Sequence, residues 1–250
     1  MATDLDRLGL ARVDGPIVIL TGAGISKESG IDTFRDKGGL WSRVSIEEVA
    51  TPQAFARDPA RVHDFYNTRR RDLQRREIRP NPAHHAIARL ERIWPHPVLT
   101  VTQNIDDLHE RGGAERLIHM HGELLKARCA HCGDVRGWRD DVTVATECAA
   151  CGLAGGMRPH VVWFGEMPFA MEEIEAALAE AALFIAIGTS ATVYPAAGFV
   201  MAAREHGCPL TVEMNREETD GSGFFHHTVE GPAGETVPAL VDRLLAARVA

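Results

Sequence analysis

Short, unbroken apolar runs alternate along the chain with longer amphipathic stretches. Ile17–Leu20, Val98–Thr102, Val161–Phe164, Leu183–Ile187 and Leu210–Met214 are largely apolar, and each stops at turn or polar residues. A strand with one wet face would alternate apolar and polar positions. Unbroken runs instead predict strands covered on both faces, as in a parallel sheet. Helical patterns lie between them. Val237, Leu240, Val241, Leu244 and Leu245 recur at helical spacing and predict a C-terminal helix. Pro59 to Arg79 predicts another, with proline in its first turn and Pro80 just past its end. Between Leu125 and Arg158 the periodicity fades into Cys, Gly and charge. The expected architecture is α/β: a parallel sheet with helices on both faces, in one domain (1–250) with a small module inserted at 125–158. No internal repeat or low-complexity tract interrupts it.

Composition narrows the function classes. The chain has 250 residues, 45% of them hydrophobic, which is ample for a core. Its 27 Lys and Arg against 35 Asp and Glu give a net charge of −8. That balance argues against a direct nucleic-acid partner. Met1–Gly15 carries acidic residues and no long apolar core, so it does not read as a signal peptide. Ala181–Ile187 is too short to span a bilayer. The expectation is a soluble cytoplasmic protein without a membrane partner.

Four of the five cysteines form two close pairs. Cys129-x2-Cys132 is followed after 15 residues by Cys148-x2-Cys151. In a reducing compartment such pairs read as metal ligands rather than disulfides. Each pair aims two thiolates at one tetrahedral ion, and four thiolates close the shell, so the expected metal is a structural zinc. His131 is a competing ligand, but the four cysteines are favoured. Cys208 reads as an inert buried thiol.

The run PIVILTGAGISKESGIDTFR, Pro16 to Arg35, passes from an apolar strand through Gly22-Ala23-Gly24 into a helix-like stretch. Glycines there let the backbone approach a pyrophosphate at a helix start. The third glycine of the common dinucleotide fingerprint would fall at Lys27, so the pattern is broken. Phe34 and Arg35 restore the argument by adding an aromatic face and a fixed cation. Val98–Thr102 runs into Gln103-Asn104-Ile105-Asp106, an amide and carboxylate cluster at a strand end, where ligands bind in open parallel sheets. His119-Met120-His121 follows, offering a base that works near neutral pH. At most one of these two histidines need be catalytic.

GAGISKESGIDTFR, TQNIDDLHE, HMHGE, the four cysteines, RPHVVWFGE, GTS and VEMN stand in the order seen in the sirtuins, the NAD-dependent protein-lysine deacylases. The chain resembles that family from about Gly15 to its end. The resemblance implies a Rossmann-like fold with a smaller zinc module, and NAD meeting an acyl-lysine of a protein substrate in the cleft between them. It implies cofactor contacts at Gly22, Ala23, Gly24, Ile25, Ser26, Thr33, Phe34, Arg35 and Trp41. Further contacts are implied at Gln103, Asn104, Ile105 and Asp106, at Gly188, Thr189 and Ser190, and at Asn215, Arg216, Glu217 and Ala233. Val162, Phe164 and Gly165 resemble the edge where a substrate peptide adds as a strand. His121 matches the family's base, with Asn104 and Asp106 beside it. The implied products are free lysine, nicotinamide and O-acyl-ADP-ribose.

The helix from Pro59 bears on the acyl group. Tyr66 and Arg69 are three residues apart and share a face, so a hydroxyl and a guanidinium can grip a carboxylate that ends an acyl chain. This resembles the class of sirtuins that remove succinyl and malonyl groups, and Ala50 is small at the matching pocket position. Deacetylation is expected as well. The plain competitor is a solvated basic face, since Arg61–Arg79 holds seven Arg against Asp64, Asp72 and Glu77. Mono-ADP-ribosyl transfer from the same NAD site is the alternative activity, and a non-catalytic zinc-ribbon module the alternative class. The expected state is a monomer.

Overall fold

The computed structural model describes residues 5, 8–32 and 44–248. Six parallel strands form the main sheet: β1 (Ile17–Thr21), β2 (Val98–Thr102), β3 (Leu117–His119), β7 (Leu183–Ile187), β8 (Thr211–Asn215) and β9 (His227–Glu230). Their order is β3-β2-β1-β7-β8-β9. Along β1 the side chains alternate between two dry layers. Ile17 and Ile19 enter one core with Ile87, Leu90, Leu240 and Val241. Val18 and Leu20 enter the other with Ile174, Leu178 and Val200. Burial on both faces is why these runs are unbroken in sequence. The first layer comes from α5 (Pro82–Ile93) and α9 (Ala233–Ala246), and the second from α7 (Met171–Glu180) and α8 (Phe199–Glu205).

A second sheet is small and antiparallel, in the order β5-β4-β6: β4 (Gly122–Cys129), β5 (Val135–Gly137) and β6 (Met157–Val161). The apolar run Val161–Phe164 is therefore not a strand of the main sheet. Only Val161 lies in a strand, and that strand pairs with β4. Val161 and Trp163 are buried in a third apolar cluster with Tyr66, Leu108 and Leu124, so the run reports burial between layers rather than sheet membership.

The remaining described helices are α1 (Ala23–Ser26), α2 (Ile46–Val49), α3 (Pro52–Arg57), α4 (Pro59–Leu73) and α6 (Leu108–Gly112). Proline opens α4 and the Asp58 side chain accepts from Arg61 N, a standard N-terminal cap. The helix stops at Leu73, short of the expected Arg79, and a turn carries the chain to Ile78, which is buried. Its arginines divide: Arg61 and Arg71 are exposed, whereas Arg69 and Arg70 are turned inward. Arg70 is 1% exposed and donates to Leu124 O and Asn67 Oδ1. Asn67 in turn binds both Val142 O and Val142 N, and Arg71 pairs with Asp141. One side of α4 thus fastens it to the small sheet and the loops beside it. No helix among the described residues is long and apolar enough to cross a membrane.

Candidate active site

Strand register sets the site. Thr21 pairs with Thr102 on one side and Ile187 on the other, and Ile187 pairs with Met214. The strands end level, so Gly22, Gln103 and Gly188 leave the sheet beside Asn215, the last residue of β8. This is also where strand order reverses between β1 and β7, the place where open parallel sheets bind ligands. The glycines meet one another there. Gly24 N donates to Gly188 O at 2.9 Å. A Cβ on Gly22 would lie 2.7 Å from Gly188 O, and one on Gly188 (φ +61°) would lie 2.5 Å from Ile25 N. These glycines let two backbones pack directly, and the Lys27 break in the fingerprint leaves that contact untouched. The loop is also pinned from α5, where Asn81 Nδ2 donates to Ile25 O and Ser29 Oγ.

A cleft of about 870 Å³ opens over this point and runs toward the small sheet. Of the residues singled out for NAD, the cleft is lined by Gly22, Ala23 and Gly24 of the first loop and by Gln103, Asn104 and Ile105. At its other strand ends it meets Gly188, Thr189 and Ser190, then Asn215, Arg216, Glu217 and Ala233. Ile25 is fully buried in the core below. Ser26 and Asp106 face an adjoining cavity of about 600 Å³, which shares Ala23, Asn104, Ile105, Phe65 and Arg69 with the cleft. Thr33, Phe34, Arg35 and Trp41 lie outside the described residues.

The polar cluster beneath the cleft is tightly bonded. Asn104 Nδ2 donates to Gly22 O and Ser26 Oγ, and Ser26 Oγ donates to Asp106 Oδ2 at 3.0 Å. Asp106 also accepts from Leu108 N. Burial pushes its carboxyl up to about 6, against these hydrogen bonds. The two histidines of the HMH run differ sharply. His121 Nδ1 faces Gln103 O at 3.1 Å. A carbonyl only accepts, so Nδ1 carries the proton and Nε2 keeps its lone pair in the cleft. Burial holds His121 below its usual pKa, hence neutral. His119 sits between Asn104 O and the Glu110 carboxylate, two acceptors that call for a proton on each nitrogen. Burial opposes that charge, but Glu110 outweighs it and the His119 pKa lies above the usual value.

At the far end, Ala50, Tyr66 and Arg69 line the same cleft. Tyr66 is 5% exposed and its hydroxyl accepts from Trp163 Nε1 at 3.0 Å. Val162, Phe164 and Gly165 border the cleft too. The amides of Val162 and Phe164 donate to His121 O and Ala50 O.

The sequence profile of the Sir2 family matches residues 22–195. This chain belongs to the Sir2 family. It is 52% identical over 241 residues to the NAD-dependent protein deacylase of Salmonella typhimurium, covering 96% of this chain and 88% of that protein. A Sir2 homologue solved with NAD superposes with a TM-score of 0.86 at 37% identity, over 99% of this chain and 94% of its own. A Sir2 protein holding a deacetylated p53 peptide and 3′-O-acetyl-ADP-ribose superposes with 0.83 at 28% identity, over 97% and 98%.

In this Sir2 chain the four paired cysteines converge. Their sulfurs lie within 4.8 Å of one another, with Cys129–Cys151 at 3.8 Å and Cys132–Cys148 at 3.7 Å. Four sulfurs around zinc at about 2.3 Å would sit about 3.8 Å apart, so the set fits a tetrahedral ion. His131 packs against Gly156 instead. Trp163, Arg158 and Glu166 were not singled out in the sequence. Trp163 was legible in principle: a tryptophan inside a buried apolar run needs a partner for its N–H.

Proposed function

We propose that this chain is an NAD-dependent protein deacylase that removes acetyl, succinyl and malonyl groups from lysine side chains, releasing nicotinamide and O-acyl-ADP-ribose. The observation that carries the reading is one continuous cleft. It joins the strand-reversal glycines, the Nε2 lone pair of His121, and a pocket holding Tyr66 and Arg69. NAD, when bound, supplies the ribose carbon to which the acyl oxygen is transferred. The residues divide the work. Gly22, Gly24 and Gly188 shape the floor, and Asn215 with Ala233 bounds the far side. Asn104 and Asp106, held through Ser26, set the polar cluster under the reacting ribose. His121 is neutral with Nε2 open, as a base must be to take a ribose hydroxyl proton. Tyr66 and Arg69 face the acyl end, where a terminal carboxylate would find a hydroxyl and a guanidinium. Cys129, Cys132, Cys148 and Cys151 hold one zinc whose shell is closed, so it supports structure and takes no part in proton transfer.

The test is kcat/KM for acetyl- and succinyl-lysine forms of one peptide with NAD, plus product analysis. Both peptides should be deacylated, with the acyl group found on ADP-ribose. The double variant Tyr66→Phe, Arg69→Met should lose about a hundredfold on succinyl peptide, the scale of two charge-assisted hydrogen bonds, and far less on acetyl peptide. Equal losses would make the two residues structural. ADP-ribose on the protein with the acyl group left in place would favour ADP-ribosyl transfer instead.

A further inference from the structure

Tyr66 has one hydroxyl hydrogen, and the geometry around it decides where that hydrogen points. The indole N–H of Trp163 is a donor with no acceptor capacity. It reaches Tyr66 Oη at 3.0 Å. The oxygen therefore accepts on that side, and its own hydrogen turns away from Trp163. Both residues line the cleft. Burial pushes the Tyr66 phenol up to about 12, so it keeps its hydrogen at neutral pH.

Trp163 is itself fixed from behind. The Arg158 guanidinium lies 3.2 Å from the centroid of the indole ring. Glu166 grips Arg158 with both carboxylate oxygens, at 2.7 and 2.8 Å, and accepts from the backbone N–H of Trp163 at 2.8 Å. A cation over the ring face draws on its electrons and strengthens the indole N–H as a donor. The indole thus cannot swing away from Tyr66 without losing its contact with the Arg158 guanidinium, which Glu166 holds in place.

We infer that Trp163 is a positioning residue for acyl selectivity. By donating to Tyr66 it makes the Tyr66 hydroxyl a fixed donor toward the acyl pocket, which then favours an acyl chain ending in a carboxylate over one ending in a methyl group. The inference rests on the dicarboxylic-acyl reading proposed above. Without the indole N–H the hydroxyl is free to rotate, and the hydrogen bond to a terminal carboxylate loses its alignment.

Two replacements at position 163 test this. Trp163→Phe keeps an aromatic ring for Arg158 and removes the N–H. Replacement by 3-benzothienylalanine keeps the full volume and exchanges N–H for sulfur, which carries the test if the phenylalanine variant does not fold. In both, kcat/KM for succinyl peptide should fall about tenfold, the effect of one misaligned charge-assisted hydrogen bond, and mainly through KM. Acetyl peptide should change far less. On a Tyr66→Phe background the same replacements should leave the succinyl-to-acetyl ratio where Tyr66→Phe alone put it. Equal losses on both peptides, or an undiminished succinyl preference, would overturn the role of Trp163 and leave the reading of the pocket standing. No succinyl turnover by the unsubstituted protein would remove that reading and this inference together.

Discussion

Asp106 is expected to destabilise the protein at neutral pH, so Asp106→Asn should give a more stable and less active chain. The carboxyl is buried, and its pKa is raised from 3.8 to about 6. Between those values the native state binds a proton that the unfolded chain has already lost. Native stability therefore falls as pH rises through this window, and the loss is complete above the folded pKa. The shift corresponds to about 3 kcal/mol. A protonated carboxyl and an amide are both neutral and nearly the same shape, so the substitution should matter little in acid. Its stabilising effect should be about 2 kcal/mol at pH 5 and about 3 kcal/mol at pH 7.5. Other groups, such as buried His84 with a pKa lowered to about 4, titrate in the same range with the opposite sign. The quantity to measure is therefore the difference between the two proteins, from urea unfolding midpoints at several pH values. A difference independent of pH would refute the argument. Deacylation should fall, because Asp106 is proposed to set the polar cluster under the reacting ribose by accepting from both Ser26 and Leu108.

Gly188→Ala should destabilise by about 2–4 kcal/mol and raise KM for NAD, since its Cβ would meet the backbone of Gly24 and Ile25. Gly207, also at positive φ but with open space around it, is the control: Gly207→Ala should cost only about 1 kcal/mol and leave KM alone, by thermal unfolding and steady-state kinetics. The purified protein should carry one zinc per chain by atomic absorption. A strong chelator should remove it and strip hydrogen-exchange protection from Ala127 to Cys129 before the strands of the main sheet; unchanged protection there would mean the four sulfurs do not support the small sheet.

The parts of this fold that were plain in the sequence are those where burial is symmetrical. β1, β2, β7 and β8 are covered on both faces, and each shows as a largely apolar run, interrupted only by threonines and by the buried Glu213 of β8. β3 and β9 are edge strands of three and four residues with polar positions, and pairing on one side only leaves no such mark. The Val161–Phe164 run misled for the opposite reason: it is buried, but between layers. The early end of α4 was hidden because Gln74 to Glu77 is polar whether helical or turned. The site followed the same division. Gly22, Gln103, Gly188 and Asn215 were legible because each directly follows or ends a recognisable strand. The Trp163–Tyr66 bond was not, because its partners stand 97 residues apart in the chain.

The HMH run shows most clearly what residue identity leaves open. His119 and His121 are the same residue type, two positions apart, and composition assigns neither a role. Their partners separate them. A lone carbonyl at Nδ1 fixes the tautomer of His121 and leaves Nε2 to accept. A carbonyl and a carboxylate at opposite nitrogens favour the charged form of His119 and hold its pKa above the usual value, against burial. His119 is bonded to the carbonyl of Asn104, within the segment that the proposed chemistry relies on. A base must stay neutral to take a proton, and a strut that bridges two acceptors must stay charged to hold both. Glu110 stands beside only one of them, so the two pKa values move in opposite directions. Position completes the division: His121 lines the cleft, and His119 is not among the residues that do.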